Sequence, residues 1–131
     1  MSNKTIGNEF EQELCELLSE YGLWAHCMTQ NKAGQPADII AVRNGDAYLI
    51  DAKVCSNDEF PFKRIEENQT LAMDLWRELG NGEGWFALKL NENIYMIPHF
   101  MMKERAKSQS KLSAKEIRSC GISIERWLMM C

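Results

Sequence analysis

Residues 37–54 read Ala37-Asp38-Ile39-Ile40-Ala41-Val42-Arg43-Asn44-Gly45-Asp46-Ala47-Tyr48-Leu49-Ile50-Asp51-Ala52-Lys53-Val54. Two runs rich in Ile, Val, Leu and Tyr flank Asn44-Gly45-Asp46, and Asn-Gly between apolar runs is the strongest short-range signal for a tight two-strand hairpin. The stretch predicts antiparallel strands over 37–43 and 47–54. Asp51 and Lys53 stand two apart on the second strand and so share one face of the sheet. With the turn near the middle, Asp38 and Asp51 fall together at the open end. Both acids lie in apolar sequence, where an unpaired carboxylate is costly unless a cation or hydrogen bonds compensate. Mg²⁺ prefers oxygen donors and keeps several waters. Asp38, Asp51 and the main-chain carbonyl of Ala52 therefore make a reasonable cation site with room for a phosphate oxygen. An Asp51–Lys53 ion pair capping a strand end is the competing explanation, since an acid-x-lysine triplet arises by chance in a chain of ordinary charge content.

Outward from the hairpin, Ile6, Phe10, Leu14, Leu17 and Leu18 recur at helical spacing before Gly22, predicting a helix over 6–21. Residues 23–29 read as a strand and 30–36 as a polar loop. A turn-like segment at 56–61 precedes Ile65, Leu71, Leu75 and Leu79, which predict a second helix over 63–79 that stops at Gly80. Residues 85–90 and 93–97 form a further apolar pair ending at Pro98. Beyond it, a short helix is expected over 99–107, and Ser113 with Glu116 has the capping-box spacing for another up to Gly121. The expected order is α-β-β-β-α-β-β plus a helical C-terminal tail: an α/β chain whose central mixed sheet is flanked by helices.

The 131 residues, 45% of them hydrophobic, suit one domain spanning 1–131, with a core over about 5–100 and a basic extension over 101–131. No run is long and apolar enough to span a bilayer, and the start MSNKTIGNEF has no signal-peptide pattern, so a cytoplasmic protein is expected. Five widely spaced cysteines without a CxxC pair argue for reduced thiols. The net charge of −4 is unequally distributed: residues 1–100 carry 8 basic and 16 acidic side chains, residues 101–131 carry 7 basic and 3 acidic. A basic tail beside an acidic body fits a protein that grips nucleic acid with one part and cations with another; a solvated basic helix is the alternative.

Three stretches carry a resemblance. Gly7-Asn8-Glu9-Phe10-Glu11-Gln12-Glu13-Leu14, Pro36-Ala37-Asp38-Ile39-Ile40 and Leu49-Ile50-Asp51-Ala52-Lys53 resemble the motifs of the PD-(D/E)xK nuclease superfamily, and within it the Holliday-junction resolvases of the bacterial RecU and archaeal Hjc kind. The resemblance implies a restriction-endonuclease-like fold and a metal-dependent endonuclease acting on branched DNA. In it Glu11, Asp38 and Asp51 hold Mg²⁺, with Mn²⁺ as a substitute, Lys53 positions the attacking water, and Gln69 matches a glutamine that opens the following helix. It selects Glu11 over its neighbours Glu9 and Glu13, which spacing alone does not exclude. Gln69 as a solvated helix residue remains the alternative. Lys32, Lys63 and Arg64 are candidate DNA contacts by position, and the resemblance points to a homodimer. Three departures stand out: Asp51 occupies a place where many relatives carry glutamate, Ala37 separates Pro36 from Asp38, and the sequence shows no obvious basic N-terminal arm or long junction-probing insertion. A restriction-type or nicking nuclease and a non-catalytic nucleic-acid or protein-binding module are the rival functions.

Overall fold

The computed structural model describes residues 3–28 and 35–131. Helix α1 (Asn3–Glu20) is followed by strands β1 (Trp24–Cys27), β2 (Ile39–Arg43) and β3 (Asp46–Val54). Asn44 and Gly45 both adopt positive φ, 52° and 85°, the backbone pair that a tight primed hairpin turn requires. β2 and β3 pair antiparallel from Arg43↔Asp46 to Ile39↔Ile50. A short strand β4 (Glu59–Pro61) and a 3-10 turn (Phe62–Arg64) lead to helix α2 (Glu67–Glu78). Helix α2 is the crossover that returns the chain to β5 (Trp85–Leu90), parallel to β3, and β6 (Asn93–Pro98) pairs antiparallel with β5.

The remainder is α3 (His99–Ala106), β7 (Lys111–Ser113), α4 (Ala114–Cys120), β8 (Ile122–Ser123) and α5 (Ile124–Met130). The main sheet is mixed and has the order β1-β2-β3-β5-β6-β8, while β4 and β7 form a separate pair. One face of the sheet packs Ile39, Ala41, Ile50 and Ala52 against Phe10, Leu14 and Leu18 of α1 and Trp127 and Leu128 of α5. The other packs Leu49, Phe86, Leu88 and Ile97 against Met73 of α2, Met102 of α3, and Phe60, Leu112 and Ile117. The alternation of β3 serves both layers: Ile50 and Ala52 point to α1, whereas Leu49, Asp51 and Lys53 point to the α2 side.

Several expectations need correction. Residues 56–61 are more than a turn, because β4 finds a partner in β7, about fifty residues on, through Glu59↔Ser113 and Pro61↔Lys111. The second helix begins at Glu67 rather than 63, since Glu66 caps it in a capping box with Gln69 and Ile65 is extended. The tail is largely helical, with α3, α4 and α5, and it also adds strand: β8 joins the edge of the main sheet, and Trp127 packs edge-on against Tyr48 and Trp85 at ring separations of 5.1 and 5.8 Å. Ser113 does cap α4 in a capping box with Glu116. The five cysteines are free. No described helix is long and apolar enough to cross a membrane.

Candidate metal and active site

The site forms where β2 parts from β3. The last ladder pair is Ile39↔Ile50, and one residue further on Asp38 N–H still donates to Ile50 C=O at 3.1 Å. Past that point the N–H of Ala52 has no strand partner on the β2 side. Asp38 Oδ2 takes its place, accepting from Ala52 N–H at 2.8 Å. A strand residue's N–H and C=O point to the same edge, so the Ala52 carbonyl also faces the gap. The gap opens into a cleft of about 550 Å³ lined by Glu11 of α1, Asp38, Ala52, Lys53, Ser56, Asn57, Arg64 and Gln69 of α2, among others.

Glu11 and Asp38 line this cleft, and Asp51 is buried in contact with Asp38. Asp51 is 0% exposed; its Oδ1 accepts from Gln69 Nε2 at 3.0 Å, and its Oδ2 lies 3.4 Å from Lys53 Nζ. That Oδ2 is buried with no hydrogen-bond partner among the described residues. Burial, and after it the neighbouring Asp38, push the Asp51 carboxyl well above the ordinary range, with Lys53 pulling back less strongly. Burial also raises Glu11, to about 8, with contact to Asp38 adding to it. Burial acts on Asp38 in the same direction, but hydrogen bonding with Asp51, Glu11, Ala52 N–H and Gln35 outweighs it and holds Asp38 below the usual carboxylate range. An ionised Asp38 thus stands between two acids that favour the proton, an arrangement in which a cation can replace shared protons.

The donor types suit a hard divalent cation: Glu11 and Asp38 line the gap, which the Ala52 carbonyl also faces, and Asp51 is buried in contact with Asp38. The carboxylates meet in pairs, Glu11 with Asp38 and Asp38 with Asp51. Among the described residues, no three His, Cys, Asp or Glu side chains stand close enough together to hold a metal ion by themselves.

Glu11, Asp38, Asp51, Lys53 and Gln69 are all brought together. Gln69 is 5% exposed and bonded to Asp51, not a solvated helix residue. Glu13 is drawn away to Lys89 at 2.8 Å, and Glu9 lies exposed on a different groove, which separates both from the cleft that Glu11 enters. Of the candidate DNA contacts, Lys63 is exposed on the 3-10 turn. Arg64 lines the cleft but donates to the Val54 carbonyl at 2.7 Å and stacks over Phe60. Lys32 lies outside the described residues. Gln35 was not singled out from the sequence, yet its Nε2 donates to Asp38 Oδ1 at 2.7 Å. A glutamine in a polar loop carries no signal that would reveal this.

A family model described as archaeal Holliday junction resolvase (Hjc) matches residues 2–130. Among solved structures, that of Archaeoglobus fulgidus Hjc, a Holliday junction resolvase from an archaeal hyperthermophile, is similar with a TM-score of 0.73. The two chains are 21% identical, and the likeness covers 93% of this chain and 99% of that one. No curated protein sequence matches.

Proposed function

Because this chain belongs to the archaeal Holliday junction resolvase family, whose members are endonucleases acting on branched DNA, we propose that it cuts junction DNA in a Mg²⁺-dependent reaction at the Glu11, Asp38, Asp51 and Lys53 cleft. The observation that carries this assignment is the Asp38 carboxylate, held on the cleft by Ala52 N–H and Gln35 and in contact with both Glu11 and the buried Asp51, which Lys53 pairs. Glu11, Asp38, Asp51 and the Ala52 carbonyl are the groups that hold the cation. Bound Mg²⁺, or Mn²⁺ in its place, supplies positive charge against the phosphodiester and acidifies a bound water.

The chain's own groups do the rest. Asp38, ionised and fixed by two N–H donors, stands between Glu11 and Asp51, with which it shares the cation. Lys53 Nζ, one rung along β3 from Asp51, donates toward the scissile phosphate or the attacking water and offsets charge on the pentacovalent phosphorus. Gln69 holds Asp51 Oδ1, and Oδ2 is turned to Lys53. Without a cation, the ionised Asp38 carboxylate faces the phosphate backbone with no positive charge beside it except that of Lys53.

The DNA path runs from the cleft onto a neighbouring groove. Glu59 and Pro61 line both, and the second groove carries Lys63 and Lys111. The basic tail is thereby placed beside the site through the β4–β7 pair. Lys32, one residue type and position that suits a phosphate contact, belongs to the same proposal.

A second copy of the chain completes the reading. Resolving a four-way junction into two duplexes needs a cut in each of two strands, and one chain supplies one cleft. The outward face of α2 exposes Leu71, Leu75 and Leu79 by 59%, 54% and 70%, a stripe at i, i+4 and i+8 that supports self-association there. Met129 and Met130 of α5 are the other exposed apolar pair.

The deciding experiment is cleavage of end-labelled four-way junction, linear duplex and single-stranded DNA in Mg²⁺, Mn²⁺ or chelator. The native chain is compared with Asp51→Asn and Lys53→Ala. Paired nicks confined to the junction, lost in chelator and in both variants, are expected. Cleavage that persists in either variant would remove that residue from the site, and no cleavage of any substrate in either metal would leave a binding module on the same fold.

A further inference from the structure

Gln35 lies outside the acid-and-lysine set, yet it is buried and lines the cleft. Its Nε2 donates to Asp38 Oδ1 at 2.7 Å, and its main-chain carbonyl accepts from Asn68 Nδ2 at 3.0 Å. Its Oε1 is buried without a partner among the described residues. Asn68 and Gln69 are consecutive in the first turn of α2, and Gln69 reaches Asp51. One helical turn therefore grips two carboxylates, Gln69 directly and Asn68 through Gln35.

We propose that Gln35, held by Asn68, is a positioning residue that sets the rotation of the Asp38 carboxylate for cation binding; this rests on Asp38 being a cation ligand. The terminal torsion of an aspartate is broad and roughly two-fold, so a carboxylate held at one oxygen still pivots about it. Ala52 N–H fixes Oδ2 and Gln35 Nε2 fixes Oδ1, which together define the carboxylate plane. Each oxygen then gives one lone pair to a protein N–H, and the other is left for the neighbouring acids Glu11 and Asp51 or for a cation that replaces their protons. The amide's orientation follows from the same bond, because an ionised carboxylate offers no proton to Oε1. Oε1 is thereby left as a buried acceptor. The tie from Asn68 to the Gln35 main chain holds the donor itself in place, ahead of the point where the chain enters β2.

The test is calorimetric titration of Mn²⁺ into the full chain without DNA, run beside junction cleavage across a Mg²⁺ series. The proteins are the native chain, Gln35→Met, Asn68→Ala and Asp38→Asn, with melting temperatures recorded in chelator. Gln35→Met keeps the length of the side chain and removes the donor. Donors to ligating carboxylates typically matter by about 10- to 100-fold in metal affinity. Gln35→Met is expected to lose Mn²⁺ affinity and to raise the Mg²⁺ half-saturation by that factor, and Asn68→Ala by less. The junction KM at saturating Mg²⁺ and the melting temperature in chelator stay near native, and high Mg²⁺ recovers most of kcat. Unchanged cation affinity in Gln35→Met, with or without a lower melting temperature, overturns the positioning role while Asp38→Asn remains inactive. Native Mn²⁺ affinity and cleavage in Asp38→Asn would instead overturn the cation-site reading beneath it.

Discussion

Gln69 Nε2 donates to Asp51 Oδ1 at 3.0 Å while Gln69 Oε1 accepts from Glu66 N–H at 3.0 Å, so one amide both caps α2 and grips the most buried carboxylate of the cleft. The two ends of that amide tie the crossover helix to strand β3 at the site. Helix start and site geometry are therefore a single structural event.

Gln69→Ala is expected to lower junction cleavage by about 10- to 100-fold through the lost support of Asp51, and to destabilise the chain by about 1 kcal/mol through the lost cap. Glu66→Ala separates the two effects. It breaks the same capping box without touching Asp51. Cleavage rates and urea midpoints for both variants check this: an equal loss of cleavage in each would mean that the contact to Asp51 contributes nothing.

Glu11 yields a prediction about pH. Its carboxyl is raised from 4.5 to about 8, chiefly by burial, so the folded chain binds more protons than the unfolded chain between those values. Stability from this group is fully present below 4.5 and is lost as pH rises through 8. Glu11→Gln is expected to melt higher than the native chain in chelator at pH 8 to 9, although it should cleave poorly. Mg²⁺ should raise the native melting temperature most at the upper end of that range, where protons no longer compete, and should raise the variant's less. A melting temperature for Glu11→Gln below native at pH 9 in chelator would contradict the burial of charge argued here.

His99 gives an opposite slope. Its ring is buried against Phe86 at 5.9 Å, its Nε2 has no partner among the described residues, and burial lowers it from 6.5 even though Asp74, at 3.7 Å from Nδ1, pulls the other way. The unfolded chain takes up this proton first as pH falls below 6.5, so stability declines from there downward through the folded value. His99→Phe removes the titrating group and is expected to flatten the melting temperature between pH 6.5 and 5 relative to native. Parallel curves for the two proteins in calorimetry would assign the acid loss to other groups.

Legibility in the sequence tracked how local the determining contacts are. The Asn44-Gly45 turn specifies both its conformation and its register within a few residues, so the β2–β3 hairpin and the meeting of Asp38 with Asp51 were readable. Strand β4 was not, because three residues containing a proline become a strand through β7, far along the chain. The last helix carries Ile124, Trp127 and Leu128 at i, i+3 and i+4, a genuine helical signal, but over seven residues it is too short to stand out. In the site, the acids and lysine were visible because charge in apolar sequence is conspicuous. The amides that orient them were not, since Gln35 and Asn68 act through partners 3 and 33 residues away that only the fold assembles.

The α2 leucine stripe leads to the last prediction. Leu71, Leu75 and Leu79 are each more than half exposed in a single copy, and the stripe's own face bears no basic side chain that would suit DNA. Burying it against a second copy removes apolar area from water on both partners, whereas a carboxylate placed in its centre would have to be desolvated twice at a two-fold contact. Leu75→Glu is therefore expected to sediment as a monomer under conditions where the native chain is a dimer, with an unchanged far-ultraviolet spectrum, because the position is solvent-exposed within one copy. Its junction products should shift from paired cuts toward single nicks, since each cleft then acts alone. Met129→Glu with Met130→Glu, on the other exposed apolar pair, should leave the dimer intact; dissociation by that double substitution and not by Leu75→Glu would move the interface to α5.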